Sequence, residues 1–267
     1  MSENTIQTYQ MDCGMPLLVE QFPTAGSVSV SWLLPIGTAM FPDEQDGFAA
    51  MLAEMILRGA DGLTAREHSD AMDRLGVQRS VSVETYHLRL GAVMVGTHLD
   101  EVLPLLTGMV RRPALPADAL EPTRSLCLQA LDGLKDEPGE LVMLKLRERH
   151  NPAPMNRHSY GRREVLEHAS IESLRDAWAT RCVPGGAVLA VAGRCEPDAV
   201  ASRLNELLAG WSGSWVEPDV THAAERGTVH VADETAQTHI AMAWTAPKEG
   251  EPGAMTDRLG TRILGGG

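Results

Sequence analysis

The sequence predicts an α+β fold, a mixed or antiparallel sheet packed by helices. Short stretches with apolar residues at alternate positions, such as 27–34 and 77–95, read as strands. Other stretches place apolar residues three and four apart, the period of a helix buried on one side. The opening order of strand, strand, helix returns after residue 227, which predicts a duplicated architecture.

Residues 17–20 and 27–34 form two strands around a Pro-Thr-Ala-Gly turn. A helix follows over 47–58. Phe48, Met51, Leu52, Met55 and Ile56 fall on the stripe that faces the core, while Ala50, Ala53 and Leu57 share another face with Glu54. Over 65–75 a second helix starts at Thr64, three residues before Glu67 as a capping box requires, and stops at Gly76. Residues 77–95 hold two more strands. Leu99, Val102, Leu103, Leu106 and Val110 mark an amphipathic helix over 99–110. Pro113 and Pro116 break the chain before a long helix over 117–134, where Pro122 is tolerable only near the first turn. Then come a helix over 140–148, a loop over 150–163, a helix over 171–180 capped by Ser170, a strand over 187–192 and a helix over 197–208 opened by Pro197.

These elements make residues 1–210 one α+β domain. Residues 211–226, with Gly210, Trp211, Gly213, Trp215 and Pro218 in or beside them, read as a linker. Residues 227–267 read as the start of a second, similar domain, with strands at 228–232 and 239–245 and a helix at 253–264. The closing Leu264-Gly265-Gly266-Gly267 leads to the expectation that this second copy is cut short.

Composition removes several function classes. The chain of 267 residues has ample length for a buried core, but aromatics are only 4%, so Leu, Val, Ala and Met must build it. Acidic residues number 36 against 23 basic, and the net charge of −13 repels phosphate backbones and attracts basic peptides; nucleic acid is excluded as a partner. Cys13, Cys127, Cys182 and Cys195 have no metal or redox spacing and make no disulfide framework. No signal or transit peptide and no membrane-spanning run is visible, so the expectation is a cytoplasmic protein with no membrane partner. No Ser-His-Asp arrangement, phosphate loop or dinucleotide fingerprint appears.

The residues around the first helix carry a resemblance. Gly47, Phe48 and Ala49 lead in; Met55, Ile56, Leu57, Arg58 and Gly59 lead out. In both flanks this resembles the zinc helix of the pitrilysin/insulinase family, which bears the inverted motif H-x-x-E-H. Here the motif positions are Ala50, Ala53 and Glu54. Arg124-Ser-Leu-Cys-Leu-Gln-Ala130-Leu131 is similar to the family segment that supplies the third ligand, a glutamate. Ala130 stands in its place, and 75 residues lie between Glu54 and Ala130, the separation that the family uses. Further similar pieces are Leu34-Pro-Ile-Gly-Thr38, Asp46-Gly47, Tyr160-Gly161, Glu164-Val165-Leu166, Pro184–Gly193 and Arg262–Gly267.

A catalytic zinc takes three protein ligands and keeps one position open. One carboxylate on this framework cannot supply that, so Ala50, Ala53, Glu54 and Ala130 are expected to be non-functional and zinc is expected not to bind. The resemblance implies a pitrilysin/insulinase-like domain and a catalytically inactive homologue. Its implied partner is a homologous zinc-bearing subunit, or a second copy of itself, and its implied ligand an extended peptide. Gly265, Gly266 and Gly267 match the start of the family's glycine-rich substrate loop; their residue types equally suit a helix stop. An active peptidase with an atypical metal site and a scaffold resembling respiratory-complex core proteins remain alternatives.

Remaining polar residues read as structural. His87 suits a satisfied strand histidine, and His150, His158 and His168 are too scattered for a metal set. Arg147, Arg149, Arg157, Arg162 and Arg163 crowd one loop, as a solvated surface or as a grip for a carboxylate or a partner. Trp211 and Trp215 pack the domain boundary or serve an interface.

Overall fold

The computed structural model describes residues 6–220, 223–224, 226–232 and 237–264. Among them the strands are β1 (Ile6–Gln10), β2 (Pro16–Gln21), β3 (Ser27–Leu34), β4 (Gly59–Ala60), β5 (Leu63–Thr64), β6 (Gln78–Val83), β7 (Leu88–Val95) and β8 (Val188–Gly193). The helices are α1 (Phe48–Met55), α2 (Ala65–Arg74), α3 (Leu99–Arg111), α4 (Leu120–Gly133), α5 (Pro138–His150), α6 (Arg163–His168), α7 (Ile171–Arg181), α8 (Pro197–Leu207) and α9 (Ala254–Leu264).

Six strands form one mixed sheet in the order β1-β2-β8-β3-β7-β6, and β4 and β5 form a small ribbon. Only β2 and β8 run parallel; the other neighbours in the sheet are antiparallel. Val30 at the centre of β3 faces Val191 of β8 on one side and Ala92 of β7 on the other. Period-two patterning decides which face is covered. Val28, Val30, Trp32 and Leu34 of β3 are buried together with Leu88, Leu90, Ala92 and Met94 of β7. These join side chains of α1, α3, α7 and α8 in one apolar cluster. Each such Val or Leu contributes roughly 1.5–3 kcal/mol from burial. The opposite face is polar and partly open, with Arg89 Nε donating to Ser31 Oγ at 3.1 Å.

The α+β class and the element order follow the sequence, with local differences. α1 stops at Met55 rather than 58, because Leu57 and Arg58 donate three residues back and Gly59, at φ +108°, turns the chain. The region from 117 is a 3₁₀ turn at Ala117–Ala119 followed by α4, so Pro122 falls in the first turn of the α-helix, where its missing N–H costs nothing. β1 and α6 have no counterpart in the sequence reading. The strands expected at 228–232 and 239–245 do not form among the described residues. Their alternating Val229, Val231, Ile240, Met242 and Trp244 are 46–80% exposed, with no ladder neighbour to pair with. Alternation alone does not hold a strand, since an isolated hairpin is marginal in water. The helix over 254–264 does form, with Met255, Leu259, Ile263 and Leu264 exposed. No helix is long and apolar enough to cross a membrane among the described residues.

Candidate functional site

α1 is held at its start by a close backbone crossing. Gly47, at φ +119°, precedes Phe48, and Gly161, at φ +71°, packs against it so closely that a Cβ on Gly161 would sit 2.2 Å from Gly47 Cα. Arg162 N–H then donates to the Asp46 carbonyl at 3.1 Å. Burial pushes the Asp46 carboxyl up, against the pull of Arg157, His158 and Arg162. The stripe expected on this helix is buried: Phe48, Met51, Leu52 and Met55 of α1 and Ile56 just past its end are each 0–3% exposed. The other face carries Ala50 and Glu54, both half-buried, and Ala53, buried.

α4 packs across α1. Thr123 Oγ1 donates to Met55 Sδ at 3.3 Å in the buried part of this contact. One turn on, Cys127 lies buried beside Glu54; its thiol is pushed up to about 11, by burial first and by the Glu54 charge second. That thiol is therefore protonated at neutral pH. Ala130 follows three residues later on the same flank and is exposed. Arg124, which opens the α4 motif, is structural. Its Nε donates to the Leu166 carbonyl at 2.9 Å and its Nη2 to the Ala169 carbonyl at 2.5 Å, tying α4 to α6. Tyr160, next to Gly161, donates its hydroxyl to Glu140 at 2.6 Å, and that bond pushes the phenol up to about 12.

So the retained motif residues brace a two-helix surface, and the motif positions on that surface present one carboxylate. Among the described residues, no group of three or more His, Cys, Asp or Glu side chains is placed to hold a metal ion.

The other polar residues resolve into supports. His87 shares a hydrogen bond with the Gly186 carbonyl at 3.1 Å. His158 sits 3.7 Å from Glu148, and His168 Nδ1 lies 2.7 Å from the Glu164 carbonyl. The loop arginines are tied to the protein at separate places: Arg147 donates to Thr85, Arg157 to Thr38, Phe41 and Asp43, Arg162 also to Asp43, and Arg163 to Asp132. Their neighbours lie far away in sequence, which no local pattern reveals. Trp211 meets Trp32 edge-on at 5.9 Å and donates to the Cys182 carbonyl. Trp215 lies over Gly186, where a Cβ would clash at 2.6 Å. Gly265, Gly266 and Gly267 lie outside the described residues.

Two family models match this framework. Residues 17–161 match the insulinase family (peptidase family M16), and residues 168–267 match the M16 peptidase inactive domain. The chain belongs to peptidase family M16. An uncharacterized zinc protease of Bacillus subtilis, YmxG, is 21% identical over 98% of this M16 chain and 64% of its own length. A probable mitochondrial-processing peptidase subunit beta of Arabidopsis thaliana is 20% identical over 73% of the chain and 37% of its own. An M16 inactive-domain protein of Pseudomonas fluorescens superposes with a TM-score of 0.72 at 18% identity, covering 80% of this chain and 53% of that one. Pitrilysin superposes with a TM-score of 0.67 at 18% identity, covering 77% and 22%. The M16 chain thus spans about two thirds of the B. subtilis relative and about half of the P. fluorescens one.

Zinc is the metal named for the B. subtilis relative. The donor set on α1 and α4 does not fit a catalytic zinc: Ala50, Ala53 and Ala130 offer no lone pair, and Glu54 alone falls short of three ligands.

Proposed function

We propose that this M16 chain is a catalytically silent subunit that binds no zinc, pairs with a homologous zinc-bearing subunit and helps hold an extended peptide. One observation carries the reading. α1 and α4 pack together, and the four positions that resemble the family motif, Ala50, Ala53, Glu54 and Ala130, carry one carboxylate between them. An unpaired sheet edge supports the peptide role. β6 ends the sheet, and among the described residues only β7 pairs with it. α1 packs beside it. An extended peptide can add to such an edge through main-chain hydrogen bonds. The charge of −13 favours a basic peptide. The proposal includes a second domain beginning after the 211–226 linker, with Gly265, Gly266 and Gly267 as further peptide contacts.

The test mixes the chain with a zinc-bearing M16 homologue. Co-elution is followed by size exclusion, binding of a fluorescent basic peptide by anisotropy, and cleavage with and without a chelator. The expected result is a stable pair that binds peptide and cleaves it only when both chains are present. Cleavage by this chain alone, abolished by chelation and restored by zinc, would overturn the reading in favour of an atypical metallopeptidase. A stable pair whose peptide affinity owes nothing to this chain would leave it a scaffold.

A further inference from the structure

A second surface, lined by none of the motif positions, has the chemistry of a ligand site. A groove of about 890 Å³ opens between the 39–43 segment, the C-terminal end of α7 and the linker around Trp215. That volume is in the range of small-molecule and peptide-end sites. Its walls are largely apolar, with Met40, Phe41, Pro42, Trp215 and Pro218 among them.

Two guanidinium groups line it, in different states. Arg157 is satisfied: it donates to two backbone carbonyls and pairs with Asp43 at 2.5 Å. Arg181 is half-buried, donates from Nε to the Met40 carbonyl at 2.9 Å and from Nη1 to Thr180 Oγ1 at 3.2 Å, and lies 4.8 Å from the centre of the Phe41 ring. These partners are all neutral. Among the described residues no carboxylate pairs with it, in a chain where acidic residues outnumber basic ones. Burial lowers its pKa. A half-buried cation without a counter-charge is costly, and its remaining donors are suited to a carboxylate in fork geometry.

We propose that this groove binds a carboxylate carried on an apolar body, as at the C-terminus of a peptide or in a small organic acid. Arg181 is the anchor and Phe41 and Trp215 form the apolar wall. Glu217 and Asp219 also line the groove, which favours a ligand with a cationic group near its carboxylate. The site shares no residue with the α1–α4 surface, and its failure would leave the pairing proposal standing.

The probes are the tetrapeptide acetyl-Ala-Lys-Leu-Phe as free acid, the same peptide as C-terminal amide, and 3-phenylpropionate, each titrated calorimetrically into the full chain. The free acid should bind at least about tenfold more tightly than the amide, as expected for a charge-assisted pair. Arg181→Gln should remove that difference and Arg181→Lys should keep part of it. Replacing the probe's lysine by glutamate should weaken binding. Arg181-dependent binding of 3-phenylpropionate assigns the site to small acids as well; binding of the peptide acid alone assigns it to peptide ends. Equal affinity for acid and amide, or no binding of any probe at roughly millimolar concentration, would overturn the proposal on the unmodified chain, whatever the variants do.

Discussion

Replacing Gly161 by alanine tests how the motif helix is held in place. Its backbone lies at φ +71°, which costs an L-residue about 1–2 kcal/mol. The new Cβ would also sit 2.2 Å from Gly47 Cα, 2.9 Å from Gly47 N and 3.0 Å from the Asp46 carbonyl. All three are backbone atoms, so no side chain can swing aside. Gly47 has no spare room, since a Cβ there would meet Leu166 at 2.9 Å. Overpacking of this kind adds about 1–3 kcal/mol, giving a loss of roughly 2–5 kcal/mol. For a chain of this size the melting midpoint should fall by roughly 5–15 °C. The assay is thermal and urea unfolding followed by circular dichroism. Gly133→Ala is the control: Gly133 ends α4 with nothing within 4 Å of its would-be Cβ, so alanine there should be neutral or stabilising by up to about 1 kcal/mol. A Gly161→Ala chain within about 0.5 kcal/mol of the parent would refute the claim that this backbone crossing fixes the start of α1.

Three further outcomes are expected. His68, 1% exposed, shares one ring nitrogen with Arg79 at 3.2 Å and the other with the Leu105 carbonyl at 3.3 Å. Burial, with Arg79 adding to it against Leu105 and Asp61, holds its pKa below 6.5, so the unfolded chain takes up a proton first as pH falls. Stability should therefore drop below pH 6.5 by at most about 1.4 kcal/mol per pH unit, and urea unfolding of His68→Gln should lose that part of the slope. Thr64→Ala removes a complete capping box with Glu67 and should cost about 1 kcal/mol by the same measurement; no change would mean that the start of α2 is held by packing alone. The combined change Ala50→His, Ala53→Glu, Glu54→His and Ala130→Glu should give a chain that retains stoichiometric zinc after dialysis, measured by elemental analysis, where the parent retains none. Failure of the variant to hold zinc would show that these positions do not converge.

The legible parts of the fold are those decided within a few residues. The buried stripe of α1, the Thr64–Glu67 box and the Ser170 cap depend on local spacing, and each forms as read. β1 escaped because its side chains are mostly exposed and carry no alternation to detect. The strands at 228–232 and 239–245 had the alternation but no ladder, which is a tertiary property. At the motif surface the missing donors were visible in the sequence, whereas Cys127 beside Glu54 and the backbone contact of Gly47 with Gly161 needed the packing of α4 and the 150–163 loop. Arg181 closes an ordinary amphipathic helix, and nothing near it in sequence announces that no carboxylate pairs with it among the described residues.

The strand order has a consequence for how the chain is made. β2 and β3 are neighbours in sequence, yet β8 sits between them. Emerging from the ribosome, these two ribbons have to wait for some 150 further residues before the centrepiece arrives, a slow, non-local closure that leaves them open to wrong partners meanwhile. A protease nick between residues 161 and 168, the seam between the two family matches, would not release an independently stable piece. The upstream fragment would lack the central plank of its own sheet.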